Sequence, residues 1–351
     1  MAYTTINKST SYFNTKLYTG TGNSNAQTGI GFQPSLVWLK NRGASGNHFL
    51  NDAPRGITKE LRANLGNTQA DDNQLLTALG SDGFTVGTSG SGNTNGNTYV
   101  AWNWKANGQG SSNTNGSINT TYTSVDTTSG FSISTYTGTG SNATVGHGLG
   151  VVPQVMIVKN LTNANSWSVY HQDLNGGSSP QNYFLHLNET DPQASNAATW
   201  NNTAPTSSVF SIGTNNNTGG SYNYVAYCFA EKTGFSKFGS YIGNGNADGT
   251  FVYTGFKPAW ILFKDRGRSK NWHIYDGKIL GYNGQMGDFI TNTAAAVGTD
   301  YSIQVDMLSN GFKFQSNTDH LNGSGQNFIY MAFAESPFVS NVGESLPTTA
   351  R

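Results

Sequence analysis

Six histidines, one cysteine and 19 acidic residues are the groups with which this 351-residue chain could do chemistry. The histidines stand at 48, 147, 171, 186, 273 and 320, a scatter that matches no zinc spacing. Cys228 is alone, so an intramolecular disulfide is excluded, and its apolar run "YVAYCFAE" is the setting of a buried structural thiol. His147 lies in "GHGLG", where a turn histidine bonding the backbone is the simplest reading. No G-x-S-x-G elbow occurs, and "DDNQ" (71–74) and "NADG" (246–249) hold too few acids for a calcium loop. A glycosidase needs only two facing carboxylates. Asp52 and Asp276, however, stand at one repeated position, eighteen residues after Pro34 and Pro258, where His171 follows Pro153. Repetition argues for framework. The sequence therefore predicts no enzyme: no catalytic residue, no metal and no cofactor.

Composition narrows the class. Lys plus Arg and Asp plus Glu are 19 each, and only 11% of residues are charged, so the basic stripe of a nucleic-acid binder is missing. Gly reaches 44, beside 17 Tyr, 19 Phe and 7 Trp. Disordered chains lack such aromatics, whereas short strands joined by Gly and Asn turns need both classes. The start "MAYTTINKST" has no charged flank and apolar core, and no apolar run approaches the ~18 residues of a membrane span. These features predict a soluble all-β protein that is neither exported nor inserted in a membrane.

The elements that must position any site are repeated. "YTGTG" occurs at 18–22 and 136–140, and "YIGNG" at 241–245. Each leads through a Gly-rich turn to a proline and an apolar run: "PSLVWLKNR", "PQVMIVKN" and "PAWILFKDRG". Lys40, Lys159 and Lys264 follow the prolines by six residues, and His48, Trp167 and Trp272 by fourteen. The repeats close on "TYVAWNWK", "NYVAYCFAE" and "IYMAFAES". No glycine phrase opens a helix, as a phosphate loop would, so the glycines mark one corner of a repeated module. In "PSLVWLK" Leu36, Trp38 and Lys40 point one way and Val37 and Leu39 the other, which predicts a strand covered on both faces.

The expected fold is three tandem β-sandwich modules, jelly-roll or lectin-like, with short helices in loops. The modules span 1–106, 130–233 and 234–338, with a flexible linker at 107–129 and an exposed tail at 339–351. Stretches 57–66 and 70–80 read as helical. The four-residue joint "EKTG" predicts that modules two and three form a rigid pair, with module one tethered. Repeated aromatics belong to packing. Trp200 and Tyr282, which are not repeated, are the candidates for stacking on a sugar.

The phrases "MAYTTINKSTSYFNTKLYTGTG", "GFQPSLVWLKNR", "YVAYCFAEKTGFSKFGSYIGNG" and "IYMAFAESPF" resemble a family of phage virion proteins over residues 1–338. That family is frequent in marine and cyanobacterial phages and usually labelled tail-fibre or structural. The resemblance implies a virion component assembled in the host cytoplasm, with other virion proteins as partners. Its expected role is a tail fibre or adhesin that recognises host surface polysaccharide, with a homotrimer favoured. A capsid decoration or tail adaptor is the alternative, and a glycan-degrading enzyme the third reading. It carries over no binding residues.

Overall fold

Tyr18, Tyr136 and Tyr241 show what the repeated phrase does. Their hydroxyls donate to the carbonyls of Gly92, Thr218 and Leu321 at 2.6, 2.6 and 2.8 Å. Their rings stack on Tyr99, Tyr224 and Phe328 at 5.2, 5.2 and 4.8 Å. The first glycine of each phrase passes so close to a neighbouring loop that a Cβ on Gly20, Gly138 or Gly243 would lie 2.2–2.3 Å from a carbonyl oxygen. The second turns the chain at positive φ, +72°, +73° and +69° for Gly22, Gly140 and Gly245. Only glycine serves both positions.

The computed structural model describes residues 4–279, 283, 287–298 and 304–337, and among them the chain is nearly all β. Three larger antiparallel sheets follow one strand order. In the first, Phe13–Thr19 lies beside Thr98–Trp104, then Leu36–Asn41, His48–Asp52, Lys59–Arg62 and Ala70–Asp71. The second runs Tyr122–Asp126, Phe131–Thr137, Asn223–Phe229, Val155–Asn160, Ser168–His171, Tyr183–His186 and Ala194–Ser195. The third runs Ser236–Ile242, Asn327–Pro337, Phe256–Asp265, Trp272–Asp276 and Asp288–Ile290. In each the closing strand therefore sits between the opening strand and the proline strand. A smaller sheet covers one face of each, and the space between is a separate apolar core.

The other faces of the larger sheets meet each other. Leu36, Trp38, Trp102, Phe131, Ile157, Tyr227, Trp260, Leu262 and Phe333 belong to one continuous core drawn from all three repeats. Trp104 and Trp260 meet at 5.7 Å with planes at 88°, and Phe13 stacks on Phe333 at 5.0 Å. Such pairs add about 0.5–1.5 kcal/mol each beyond the area they bury. A cavity of about 20 Å³ remains where the sheets converge, lined by apolar side chains of every repeat.

Three matched backbone hydrogen bonds close the arrangement. Gln69 N–H donates to the Leu161 carbonyl at 3.1 Å, Gln193 to Arg266 at 2.8 Å and Val297 to Arg42 at 3.1 Å. These link first to second, second to third and third to first by equivalent residues. The repeats form a ring.

Several expectations change. Leu36 and Trp38 are covered on their face by the other two repeats, and only Val37 and Leu39 by the module's own second sheet. The first repeat is not tethered, because it packs on the third as on the second. Residues 107–129 are no loose linker: Tyr122–Asp126 extends the second sheet, and Ile118 pairs with Val145. Stretches 57–66 and 70–80 are not helical. Lys59–Arg62 pairs with His48–Asp52 and Ala70–Asp71 pairs with Lys59–Arg62, so strand pairing overrides local helix preference. The described α-helices are Gly90–Asn93 and Ala197–Trp200. Pro34 and Pro153 precede their strands, whereas Pro258 sits inside Phe256–Asp265 at a register shift.

Fragment 130–351 strips one wall from the central core. It is expected to elute aggregated and to bind a hydrophobic dye, whereas the full chain does neither. A monomeric fragment with native near-ultraviolet dichroism contradicts the shared core.

Candidate functional site

The residues whose chemistry the sequence raises converge on the seams between repeats. Asp52 accepts the Tyr227 hydroxyl of the second repeat at 2.7 Å and the Arg55 guanidinium at 2.6 Å. His171 places Nε2 3.1 Å from the Tyr330 carbonyl of the third repeat. Asp276 accepts from Thr15 Oγ1 at 2.5 Å and Trp102 Nε1 at 2.8 Å, both in the first. One repeated position therefore tethers each repeat to the next. Burial holds the Asp276 carboxyl above the usual carboxylate range, and the bonds from Thr15, Lys278 and Trp102 only partly oppose it. Burial lowers His171 to about 4.

Fourteen residues after the prolines the pattern recurs. Trp167 Nε1 donates to the Arg62 carbonyl at 3.1 Å, and Trp272 Nε1 to the His186 carbonyl at 2.9 Å. His48 stands at the third seam, edge-on to Phe289 at 6.3 Å, with its Nδ1 accepting from Trp38 Nε1 at 3.1 Å.

The three repeated lysines are fully buried. Lys40 Nζ donates to the carbonyls of Gly46 at 2.6 Å and Ala294 at 3.1 Å, bridging first to third. Lys264 Nζ reaches Thr190 at 3.0 Å, bridging third to second, along with Asp265 and Arg268. Lys159 reaches the Asn160 carbonyl at 2.6 Å. Burial lowers these amines to about 8, about 8 and about 7 respectively. Ammonium groups wrapped in carbonyls lock loops together and offer no open face to a substrate.

Trp200 is 1% exposed. Its Nε1 donates to the Tyr183 carbonyl at 3.1 Å and its ring meets Tyr170 edge-on, so it closes the second repeat's core and has no surface for a sugar. Tyr282 lies outside the described residues. Cys228 is buried, its thiol pushed up to about 12 by burial. His147 accepts from Leu149 N–H at 3.1 Å, as a turn histidine does.

An open groove of about 260 Å³ lies where the first and second repeats meet. Arg55, Gln69, Thr121, Tyr122, Leu161 and Asn223 are among the residues that line it. Tyr122 is half-buried, its N–H bonded to Thr135 Oγ1 at 3.2 Å, while Thr121 and Asn223 are exposed. Arg55 is engaged by Asp52 and by Gln69 Oε1 at 3.1 Å. Of the three tyrosines at the groove Tyr136 and Tyr224 are buried, so it presents amides, hydroxyls and the half-exposed Tyr122 without a free charge pair. The sequence reading missed it because Tyr122 falls in the segment taken for linker. An aromatic amid Ser, Thr, Asn and Gly was the available signal.

A family described as a domain of unknown function, DUF7483, matches residues 8–337. The chain belongs to that family. The match begins beside the first turn, Ser9–Ser11, and ends at Pro337, the last residue of the third sheet. The DUF7483 unit is thus the whole ring of repeats. A search of curated proteins finds no match to the chain.

Two outcomes follow from the seams. Asp276→Ala leaves Trp102 Nε1 and Thr15 buried without an acceptor and is expected to cost about 3 kcal/mol in denaturant unfolding. A cost under about 0.5 kcal/mol contradicts the tether. The second outcome concerns pH. Unfolded lysine holds its proton to about 10.4, so between about 7 and 10 the unfolded chain binds more protons than the folded one and stability rises with pH. Above 10 the trend reverses, because buried hydroxyls such as Tyr136 keep protons that the unfolded chain releases. Below 6.5 stability falls as His171 gains its proton only on unfolding, down to about pH 4. Midpoints from urea titrations across pH 4–11 check this profile, and a maximum below pH 7 refutes it.

Proposed function

We propose that the chain is a structural protein of a phage virion, a tail-fibre or adhesin component that contacts host surface glycan through the groove between its first and second repeats. The observation that carries this reading is the groove's chemistry. A half-exposed tyrosine beside amide and hydroxyl side chains matches a sugar, which needs an aromatic face and many neutral hydrogen-bond partners. Its placement on a closed ring supports the reading further, since rigid walls bind without an ordering cost.

The hydrolytic reading gains nothing from Asp52 and Asp276, whose oxygens are engaged at separate seams. A purely structural role, as decoration or adaptor, draws support from a different surface. Ile242, Phe251 and Tyr253 are 61%, 44% and 55% exposed on the outer side of the third repeat. Such a patch suits contact with another virion protein or a second copy. One chain already sets three like repeats in a ring, so threefold order does not require a homotrimer.

The test is Tyr122→Ala in the full chain. Loss of binding to host cells or their extracted polysaccharide, with the thermal midpoint unchanged, is the expected result. Binding that survives the substitution removes the groove from the account.

A further inference from the structure

The turn after Tyr183–His186 departs from its two counterparts. All three repeats share one framework contact there: Asn64, Asn188 and Asn292 accept the backbone N–H of His48, Trp167 and Trp272 at 3.0, 2.9 and 2.9 Å. In the first and third repeats that asparagine donates on to a second one, Asn47 at 2.8 Å and Asn271 at 2.9 Å. In the second repeat the matching residue is Ser166, and its hydroxyl donates to Glu189 Oε1. Around this altered contact three more positions differ. His186 replaces Arg62 and Ile290, Glu189 replaces Leu65 and Thr293, and Asp191 replaces Asn67 and Ala295.

The changes bring one imidazole and two carboxylates together. Their ligand atoms all lie within 4.8 Å of one another, and His186 Nδ1 is 3.3 Å from Glu189 Oε2. The second imidazole nitrogen, Nε2, lies 3.2 Å from Asn217 Nδ2. A half-turn of that amide exchanges Nδ2 for Oδ1, the acceptor that an outer partner of a metal-binding histidine supplies. Asp191 is exposed, which leaves a path from solvent.

We propose that His186, Glu189 and Asp191 bind a divalent transition-metal ion of the zinc class. One nitrogen and two carboxylate oxygens suit such ions, whereas calcium and magnesium prefer all-oxygen sites. With Nδ1 on the metal, Nε2 carries the proton and the Asn217 amide turns its oxygen toward it. The ion serves the ring. The His186 carbonyl receives Trp272, and the Thr190 carbonyl receives Lys264, so fixing this turn fixes two of the attachments of the third repeat to the second. The Lys264 ammonium acts on Asp191 and opposes the ion, which sets a moderate affinity. Repeats one and three lack the ligands and keep the amide pair instead.

Calorimetric titration of the full chain with zinc chloride, and separately with calcium chloride, tests this. The expected result is saturable binding of one zinc per chain, a thermal midpoint raised by several degrees and reversed by chelator, and no effect of calcium. Cobalt should give visible ligand-field bands. Asp191→Asn alters an exposed side chain, so the fold persists, and it should weaken zinc binding by roughly tenfold or more without moving the metal-free midpoint. No saturable zinc binding overturns the proposal. So does binding that Asp191→Asn leaves intact and His320→Ala removes, which places the ion at His273 and His320, two imidazoles of the third repeat whose ring centroids lie 6.0 Å apart.

Discussion

A sheet of this sequence has two apolar faces, and no repeat can cover both. Val37 and Leu39 turn toward the repeat's own small sheet, while Leu36 and Trp38 turn away from it. Left alone, each larger sheet would expose an aromatic surface to water. Bringing the three exposed faces together buries all of them, and every other feature of the molecule follows from that convergence. The Tyr–Gly phrases hold each sandwich shut at its rim. Buried Asp52, His171, Asp276, Trp167, Trp272, Lys40 and Lys264 hold the sandwiches to one another.

The seams explain why so few charged residues are so deeply placed. A buried carboxylate or ammonium is costly unless fully hydrogen-bonded. For Asp52, Asp276, Lys40 and Lys264 some of the partners come from the neighbouring repeat, so these groups are fully satisfied only when the ring is closed. Lys159 instead finds its carbonyl within its own repeat. Asp52 without Tyr227, or Lys40 without the Ala294 carbonyl, would lose part of its hydrogen bonding. Apolar burial drives the repeats together, and these groups fix their register. The same repetition makes departures informative. Where a framework position changes in one repeat alone, as Ser166 does against Asn47 and Asn271, framework need does not explain it.

Much of this was legible in the residues. Alternating faces, Gly-rich turns and matched phrases specify an all-β fold, and the repeated Asp position correctly reads as framework. The ring was not legible. Nothing local in "PSLVWLK" says whether its second face is covered by its own module or by another, because burial looks the same in sequence. Residues 107–129 read as a tether for a related reason. Their composition is that of a linker, yet Thr120, Thr123 and Ser124 are buried because the second sheet accepts them. The helical reading of 57–66 failed because Glu60 and Leu61 are claimed by strand pairing. Trp200 misled for the opposite reason: an unrepeated tryptophan looked like a surface ligand contact and is core.

The central claim is that three repeats share one core and therefore fold as one unit. Differential scanning calorimetry of the full chain tests it most directly, by comparing the calorimetric enthalpy with the van't Hoff enthalpy of the transition. The account predicts a single transition in which the two agree. Two or three resolved transitions, or a calorimetric enthalpy several times the van't Hoff value, would mean that the repeats melt independently and would contradict it.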